Sequence, residues 1–369
     1  MAKQHPGASA DQIERALSGA GGDRGRAGEV LSVLRTAPNS GRRSLLALSA
    51  EFPSCRPAAI LGALEAAAND RDRARRGLAQ IELFHATHAP ADEIARVLDR
   101  AGGDINTARE VLIRRMLTQK QTEALRHVAA AAKAKHVAAL PGLVKRAVLL
   151  GKSEADVEST LAYIKEDVPL VIHFSEECLR TLCDDPFYRS QFETGTSGGT
   201  NDRVSRTLWE QRMFPSYDES TRDGERVKYG CVNLTDDVKG VAAASSSYGS
   251  FFMVLTRECR HRATIADTDT GSSSAVLGTS DWFGHIMASF NDRTLKSALS
   301  LPCPNSASLS HIFDDTRYRE IQIHGEVSIA HDVAALHVPC SSKSVLAETR
   351  ELIKRFSEIA QCAVKWQLN

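Results

Sequence analysis

The character of this chain changes once, near residue 165, and that change decides what it can fold into. Residues 1 to about 165 are rich in Ala, Leu, Arg and Glu with short Gly or Pro breaks, the composition of helices. From Pro169 onward Ser, Thr, Gly, aromatic and β-branched residues rise, and short strand-like runs begin. The chain therefore reads as α+β: an all-helical accessory domain over 1–165 and a mixed α/β domain over 166–369. At 369 residues each part has room to bury a core of its own.

The helical part contains a repeat. Ile13 to Leu31 reads IERALSGAGGDRGRAGEVL, and Ile94 to Leu112 reads IARVLDRAGGDINTAREVL. A degenerate copy, ILGALEAAANDRDRARRGL, runs from Ile60 to Leu78. Each copy predicts a helix, a break and a second helix. Gly22 and Gly103 suit the left-handed residue that ends a helix, and Asp23 and Asp104 then fall at the next N-cap. Three such units imply an array whose members bury apolar faces on one another. They resemble the ubiquitin-associated and CUE-type three-helix modules, although the Met-Gly-Phe-like loop of those modules is missing. Two roles stay open for the array, a structural one and partner binding through its helical faces. Beyond it, Leu117 to His136 predicts a longer Ala-rich helix, Leu143 to Ile164 a further helical pair, and Val345 to Gln361 an amphipathic C-terminal helix.

The bulk numbers exclude several classes. Lys+Arg and Asp+Glu both number 46, so the net charge is zero and non-specific nucleic-acid binding is disfavoured. No apolar run reaches membrane-spanning length, and Met1 to Gln12 lacks the apolar region of a secretory signal. The eight cysteines are scattered without a C-x-x-C pair, which argues against a structural metal and for free thiols in a reducing cytosol. His85, His88 and His136 read as parts of solvated faces. Asp267-Thr268-Asp269-Thr270-Gly271 has a calcium-loop flavour but lacks the distal Glu, and reads as a turn.

Four segments of the second half carry candidate chemistry. Tyr318 to Glu326, YREIQIHGE, predicts a strand in which Ile321 and Ile323 alternate with Glu320, Gln322 and His324. Three hydrogen-bonding side chains on one face suit the floor of a cleft. Phe187 to Gly199, FYRSQFETGTSGG, presents Arg189 and then a loop in which Thr194, Gly195 and Thr196 can bring backbone N–H groups to an anion. It lacks the Lys of a Walker loop. Arg226 to Leu234, RVKYGCVNL, predicts a strand centred on Tyr229 and Gly230. Ser245 to Leu255, SSSYGSFFMVL, predicts a Ser-rich turn entering an apolar strand, with Gly249 beside Ser250 allowing a close approach. Asp281-Trp282-Phe283 and a helix through Phe290 lie between the last two.

In order, these segments give Arg, Ser and Glu on or beside successive strands, which resembles the Arg-Ser-Glu type of ADP-ribosyltransferase. More specifically, YRSQFETGTSGG, KYGCVNL, YGSFFMVL and YREIQIHGEV resemble the bacterial CteC-like effector family over roughly residues 165 to 340. That resemblance implies transfer of ADP-ribose from NAD to a threonine of ubiquitin, blocking host ubiquitin signalling. It also implies delivery into a host cell and action in its cytosol. Glu320 is then the carboxylate that stabilises an oxocarbenium-like ribose, and Gln322 orients the acceptor. Because Gln cannot take a proton, His324 or Glu326 is the candidate base, unless no strong base is needed. Arg189, with Arg226 as its rival, grips the pyrophosphate. Ser250 or Ser247 fixes Glu320 or the nearer ribose, Tyr229 and Tyr248 stack on a ring, and Gly230 and His324 complete the cofactor site. No metal is implied.

Two alternatives use the same residues differently. In a thiol protease or deamidase acting on ubiquitin, Cys231 would be the nucleophile, with His324 or His331 as base and Asp332 orienting it. A non-enzymatic ubiquitin-binding scaffold would not need Glu320, Gln322 and His324 on one face.

Overall fold

The computed structural model describes residues 5, 8–20, 24–52, 55–87, 89–197, 202–301, 318–339 and 347–367. Packing divides the chain into Met1–Ile113 and Arg114–Asn369. The compositional change expected as a boundary near 165 marks something else: the switch from the last long helix to the first strand. The last two helices before that switch lie within the second unit, because their apolar faces complete the core of its sheet.

The first unit is built of α1 (Ala10–Gly19), α2 (Arg24–Thr36), α3 (Asn39–Glu51), α4 (Pro57–Ala66), α5 (Arg71–Thr87), α6 (Ala91–Arg100) and α7 (Ile105–Met116). Its core gathers Leu31, Leu45, Leu48, Phe52, Ile60, Leu64, Leu78, Leu83, Ile94 and Leu112. The break between α6 and α7 follows the expected chemistry. Gly102 and Gly103 take φ of 63° and 83°, and the Asp104 carboxylate accepts from the Thr107 N–H at 2.7 Å. Gly22 and Asp23 lie outside the described residues. The middle copy makes the same turn without glycine: Ala68 and Asn69 take φ of 54° and 63°, and Asp70 accepts from the Arg73 N–H at 3.0 Å. Holding Ala in the left-handed region costs backbone energy, so the apolar faces of α4 and α5 impose the turn.

The second unit begins with α8 (Gln119–Leu149) and α9 (Glu154–Glu166). α8 continues through Pro141, so the helix expected to end at His136 and the one expected to start at Leu143 are a single 31-residue helix. The elements that follow are β1 (Leu170–Phe174), α10 (Cys178–Asp184), β2 (Phe187–Tyr188), α11 (Gln191–Thr194), α12 (Arg203–Met213) and β3 (Lys228–Val232). Then come α13 (Ala242–Tyr248), β4 (Phe251–Leu255), β5 (Ala263–Ala266), β6 (Leu277–Gly278), α14 (Gly284–Ala288) and α15 (Asp292–Ala298). The chain closes with β7 (Glu320–Ile323), β8 (Val327–Ser328), α16 (Ile329–Asp332), β9 (Val333–Val338), α17 (Ala347–Ala360) and β10 (Ala363–Trp366). Among the described residues no helix is long and apolar enough to cross a membrane.

The protein is thus α+β, and its sheet positions the site. Eight strands run in the order β10-β9-β4-β1-β3-β7-β5-β6, antiparallel except for the β10–β9 pair, while β2 and β8 pair separately. The period of two sorts the side chains cleanly. Ile172, Phe251, Met253, Ile265, Ile321, Ile323 and Leu336 enter one large core, under α8, α9, α10, α14, α15 and α17. Val171, Cys231 and Phe252 point to the other face, where Ala244 of α13 packs on them. Register sets Cys231 opposite Glu320, and Gln322 between Tyr229 and Thr264. β7 is a central strand with all four residues buried, so the cleft floor is an interior surface.

Two local expectations change. Ser245, Ser246 and Ser247 lie in the last part of α13, and the turn into β4 is Gly249 and Ser250, with Gly249 carrying the unusual conformation. Gly249 has a φ of 120°, and a Cβ on it would stand 2.3 Å from the Phe174 carbonyl oxygen, so the position requires glycine. β10 was not legible in the sequence: it follows α17 and adds a parallel edge strand.

Candidate active site

The polar face of the sheet opens into a cavity of about 430 Å3. Its lining includes Glu320 from β7, Tyr229, Gly230 and Cys231 from β3, His173 from β1, Ser247 and Tyr248 from α13, and Arg206 and Trp209 from α12. Arg189, Thr196, Ser197, Asp269, Thr270 and Tyr318 add to the wall from connecting segments, and Tyr188 does so from β2.

Glu320 is 6% exposed. Its Oε1 accepts from the Thr270 hydroxyl and, at 3.0 Å, from the Gln322 amide. Burial pushes the Glu320 carboxyl up to about 7, Asp269 adds to the rise, and the two hydrogen bonds and Arg206 oppose it. Near neutral pH this group is balanced between acid and carboxylate.

Gln322 does not face the cavity. It is fully buried, accepts from the Thr264 hydroxyl at 2.7 Å and passes its own N–H to Glu320. The expected acceptor-orienting residue is instead a support that fixes the rotamer of Glu320. His324 departs further. It packs edge-on against Phe214, with a centroid distance of 4.9 Å, and its Nδ1 meets the Tyr217 hydroxyl at 2.8 Å. Burial drives its pKa down to about 3, so it is a neutral core residue rather than a cofactor ligand or base. Glu326 and Arg262 line a separate cavity of about 400 Å3.

Arg189 reaches the wall already engaged. Asp185 holds it through two bonds of 2.9 and 3.0 Å, and Glu193 adds a third at 3.2 Å. Its rival Arg226 is 3% exposed and tied to the buried Glu210 at 3.0 Å, with its guanidinium 4.4 Å from the centre of the Phe192 ring. Arg226 is a core brace away from the cavity. The cation that sequence reasoning missed is Arg206, which bonds the Ser197 hydroxyl at 3.2 Å and lies 5.2 Å from the Tyr229 ring centre. Its signal was the Asp202 N-cap followed by Arg206 and Trp209, three apart on one helix face.

Of the loop residues, Gly195 ends α11 in the left-handed conformation with a φ of 69°, and the Thr194 hydroxyl bonds back to the Ser190 carbonyl. Both shape the turn, whereas Thr196 and Ser197 line the cavity. Gly198 and Gly199 lie outside the described residues. Ser247 is on the wall, whereas Ser250 is exposed away from it and contributes only its carbonyl oxygen, to Gln367. Of the two serines named from the sequence, Ser247 is the one that borders the cavity. Tyr248 and Tyr318 share a hydroxyl contact of 3.2 Å, and the Tyr229 hydroxyl donates to Glu210 at 3.2 Å. Gly230 borders the cavity, yet a Cβ there would stand 2.5 Å from the Val171 carbonyl oxygen, so strand packing already demands glycine.

The thiol arrangement is not assembled. Cys231 is 1% exposed opposite Glu320, and burial with that carboxyl as neighbour raises its pKa, the reverse of an activated thiolate. His324 is occupied with Tyr217, and Asp332 forms an ion pair with Arg262 at 2.8 Å. The imidazole near Cys231 on the wall is His173. Val241 N–H donates to its Nε2 at 3.0 Å and Nδ1 faces the Gly249 carbonyl at 2.9 Å, so the Nδ1–H tautomer is fixed. Burial lowers its pKa to about 4. A single His in the apolar run of β1 gave little reason to single it out.

Taken together, the cavity offers a buried carboxyl of raised pKa, two guanidinium groups, four tyrosines (Tyr188, Tyr229, Tyr248 and Tyr318) and a tryptophan. A search of curated proteins returns no match to this chain. A family model described as a protein of unknown function, DUF3626, matches residues 172–308, a stretch that takes in the cavity wall from His173 to Thr270 and stops before Glu320.

Proposed function

We propose that this protein is an NAD-dependent mono-ADP-ribosyltransferase that modifies a protein hydroxyl. The observation that carries this reading is Glu320: a buried carboxyl, held by neutral donors, on the wall of a cavity lined by arginines and aromatic rings. Cleaving the nicotinamide–ribose bond leaves positive charge on the ribose, and a carboxylate preset in a water-poor site stabilises that charge strongly. Thr270 and Gln322 keep the Glu320 carboxyl aimed, so little reorganisation is needed when charge develops.

The rest of the wall fits a dinucleotide. Arg206 and Arg189 both line the cavity and supply cationic donors for a pyrophosphate. Tyr229, Tyr248 and Trp209 offer ring faces for stacking. The resemblance of the sequence to CteC-like effectors supplies the acceptor, a threonine of ubiquitin. The ubiquitin-associated look of the helical repeats agrees with an accessory unit that recruits it.

The test is the intact mass of ubiquitin after incubation with the protein and NAD, beside a Glu320→Gln control. The expected result is a gain of one ADP-ribose, absent in the control. NAD consumed with ubiquitin unmodified would keep the chemistry and discard the acceptor. NAD and ubiquitin both unchanged would end the transferase reading.

A further inference from the structure

An acceptor hydroxyl that becomes a glycosidic oxygen must give up its proton, and nothing assigned so far can receive it. Gln322 has no basic atom and is buried behind Glu320. His324 is enclosed by Phe214 and Tyr217, and Glu326 borders another cavity. Glu320 is itself committed to the ribose side.

One further carboxylate stands on the cavity wall. Asp269 is exposed where Glu320 is buried, so a proton taken up there can pass to bulk water. Its Oδ2 accepts from the Tyr318 hydroxyl at 3.3 Å and its Oδ1 from the Gly271 N–H at 2.7 Å. These bonds fix the carboxylate and leave each oxygen a second lone pair. The next residue, Thr270, turns inward and donates to Glu320. One short turn therefore holds both carboxyl groups of the cavity. It belongs to the segment Asp267 to Gly271, whose sequence suggested only a turn. Tyr318 is not a competing base, because burial and the neighbouring carboxyl push its phenol far up and keep it a donor.

We propose that Asp269 is the general base that accepts the proton of the acceptor hydroxyl. The inference rests on the transferase reading and adds the second carboxyl to it. The steps balance: the ribose C1′–N bond breaks and its electron pair leaves with neutral nicotinamide. The acceptor oxygen forms the C1′–O bond, and its proton moves to Asp269 and then to solvent. A water molecule entering the open cavity can release its proton to other water. A docked side-chain hydroxyl shielded from solvent cannot, so the base matters most for transfer to protein.

The experiment measures two products in one reaction with NAD and ubiquitin: nicotinamide released and ADP-ribose added to ubiquitin. For Asp269→Asn the ratio of transfer to release is expected to fall about a hundredfold, the low end of what a positioned base contributes, with partial recovery in Asp269→Glu. Continued nicotinamide release shows that the variant is folded. An unchanged ratio overturns the proposal. Loss of nicotinamide release as complete as in Glu320→Gln overturns it too, by making Asp269 part of bond cleavage. Wild-type protein that releases nicotinamide but leaves ubiquitin unmodified overturns the base while sparing the NAD chemistry. Wild-type protein that releases none removes both readings.

Discussion

Glu320 and Glu210 are both buried carboxyls whose charges act on the Tyr229 phenol, and they are held by different kinds of partner. Glu210 is fully enclosed with Arg226 at 3.0 Å and the Tyr229 hydroxyl at 3.2 Å. Burial pushes its carboxyl up, and the guanidinium and hydroxyl work against that. Glu320 receives the Thr270 hydroxyl and the Gln322 amide, neutral donors that fix its direction without cancelling its charge. A buried carboxylate with its own cation is a brace, because its charge is already spoken for. One with neutral partners on a cavity wall keeps its charge for a cation that arrives or forms there.

Glu320→Gln breaks the comparison most sharply. Nicotinamide release is expected to fall about a thousandfold, the scale of losing a preset group that stabilises transition-state charge. Wild-type release should also climb with pH through about 7, as the carboxyl ionises. Stability should move the other way. The folded pKa of about 7 lies above the ordinary 4.5, so the folded state holds the proton more tightly and loses stability as pH rises between those values. The loss is roughly 3 kcal/mol at about 1.4 kcal/mol per pH unit. Urea unfolding across that window should show a steeper loss in wild type than in Glu320→Gln, in which the buried Glu210 still contributes its own share.

The brace predicts a stability effect instead. Arg226→Met strands Glu210 in the interior and should cost roughly 3–5 kcal/mol, while adding Glu210→Gln to it should restore much of that. Denaturant midpoints of the single and double variants test this. A single variant as stable as wild type would show that Glu210 is not held as a buried anion. Smaller again is Gln322→Leu, which removes one donor from Glu320 and leaves the Thr264 hydroxyl unpaired. Roughly 1–3 kcal/mol of stability and a further rise in the pH midpoint of nicotinamide release are expected. An unmoved midpoint would mean that Gln322 is packing alone.

How much of this was legible depended on the range of the forces involved. Period two in YREIQIHGE separated Ile321 and Ile323 from Glu320 and Gln322 correctly, because alternation is a local property of a strand. It could not say that Gln322 stands behind Glu320, or that the face is sealed over His324 by Phe214 and Tyr217, more than 100 residues away. Arg189 and Arg226 looked equivalent, since nothing local shows that Glu210 claims the second. Arg206 and Asp269 were passed over because a helix and a turn between strands carry no alternation to mark which way a side chain points. The three-residue capping of Asp104 and Asp70 was readable or inferable for the contrary reason: donor and acceptor are neighbours in the chain.

Ser250 gives the smallest expected effect and sharpens the comparison from the negative side. Its place after Gly249 suggested a hydroxyl aimed at the reacting centre, and Ser247 was the alternative. In the fold, α13 carries Ser247 to the wall, where its hydroxyl bonds the Ala243 carbonyl at 3.2 Å, while Gly249 turns the chain so that Ser250 faces solvent. The one contact from Ser250 uses its backbone oxygen, accepting from the Gln367 amide at 2.9 Å, and alanine preserves it. Ser250→Ala should therefore stay within about 0.5 kcal/mol of wild type in stability and leave nicotinamide release unchanged. Ser247→Ala should slow release by comparison, since it alters the surface that borders Tyr248 and Glu320. If the two results were exchanged, the Gly249 turn would have to present Ser250 inward during the reaction, and the wall opposite Glu320 would have to be redrawn.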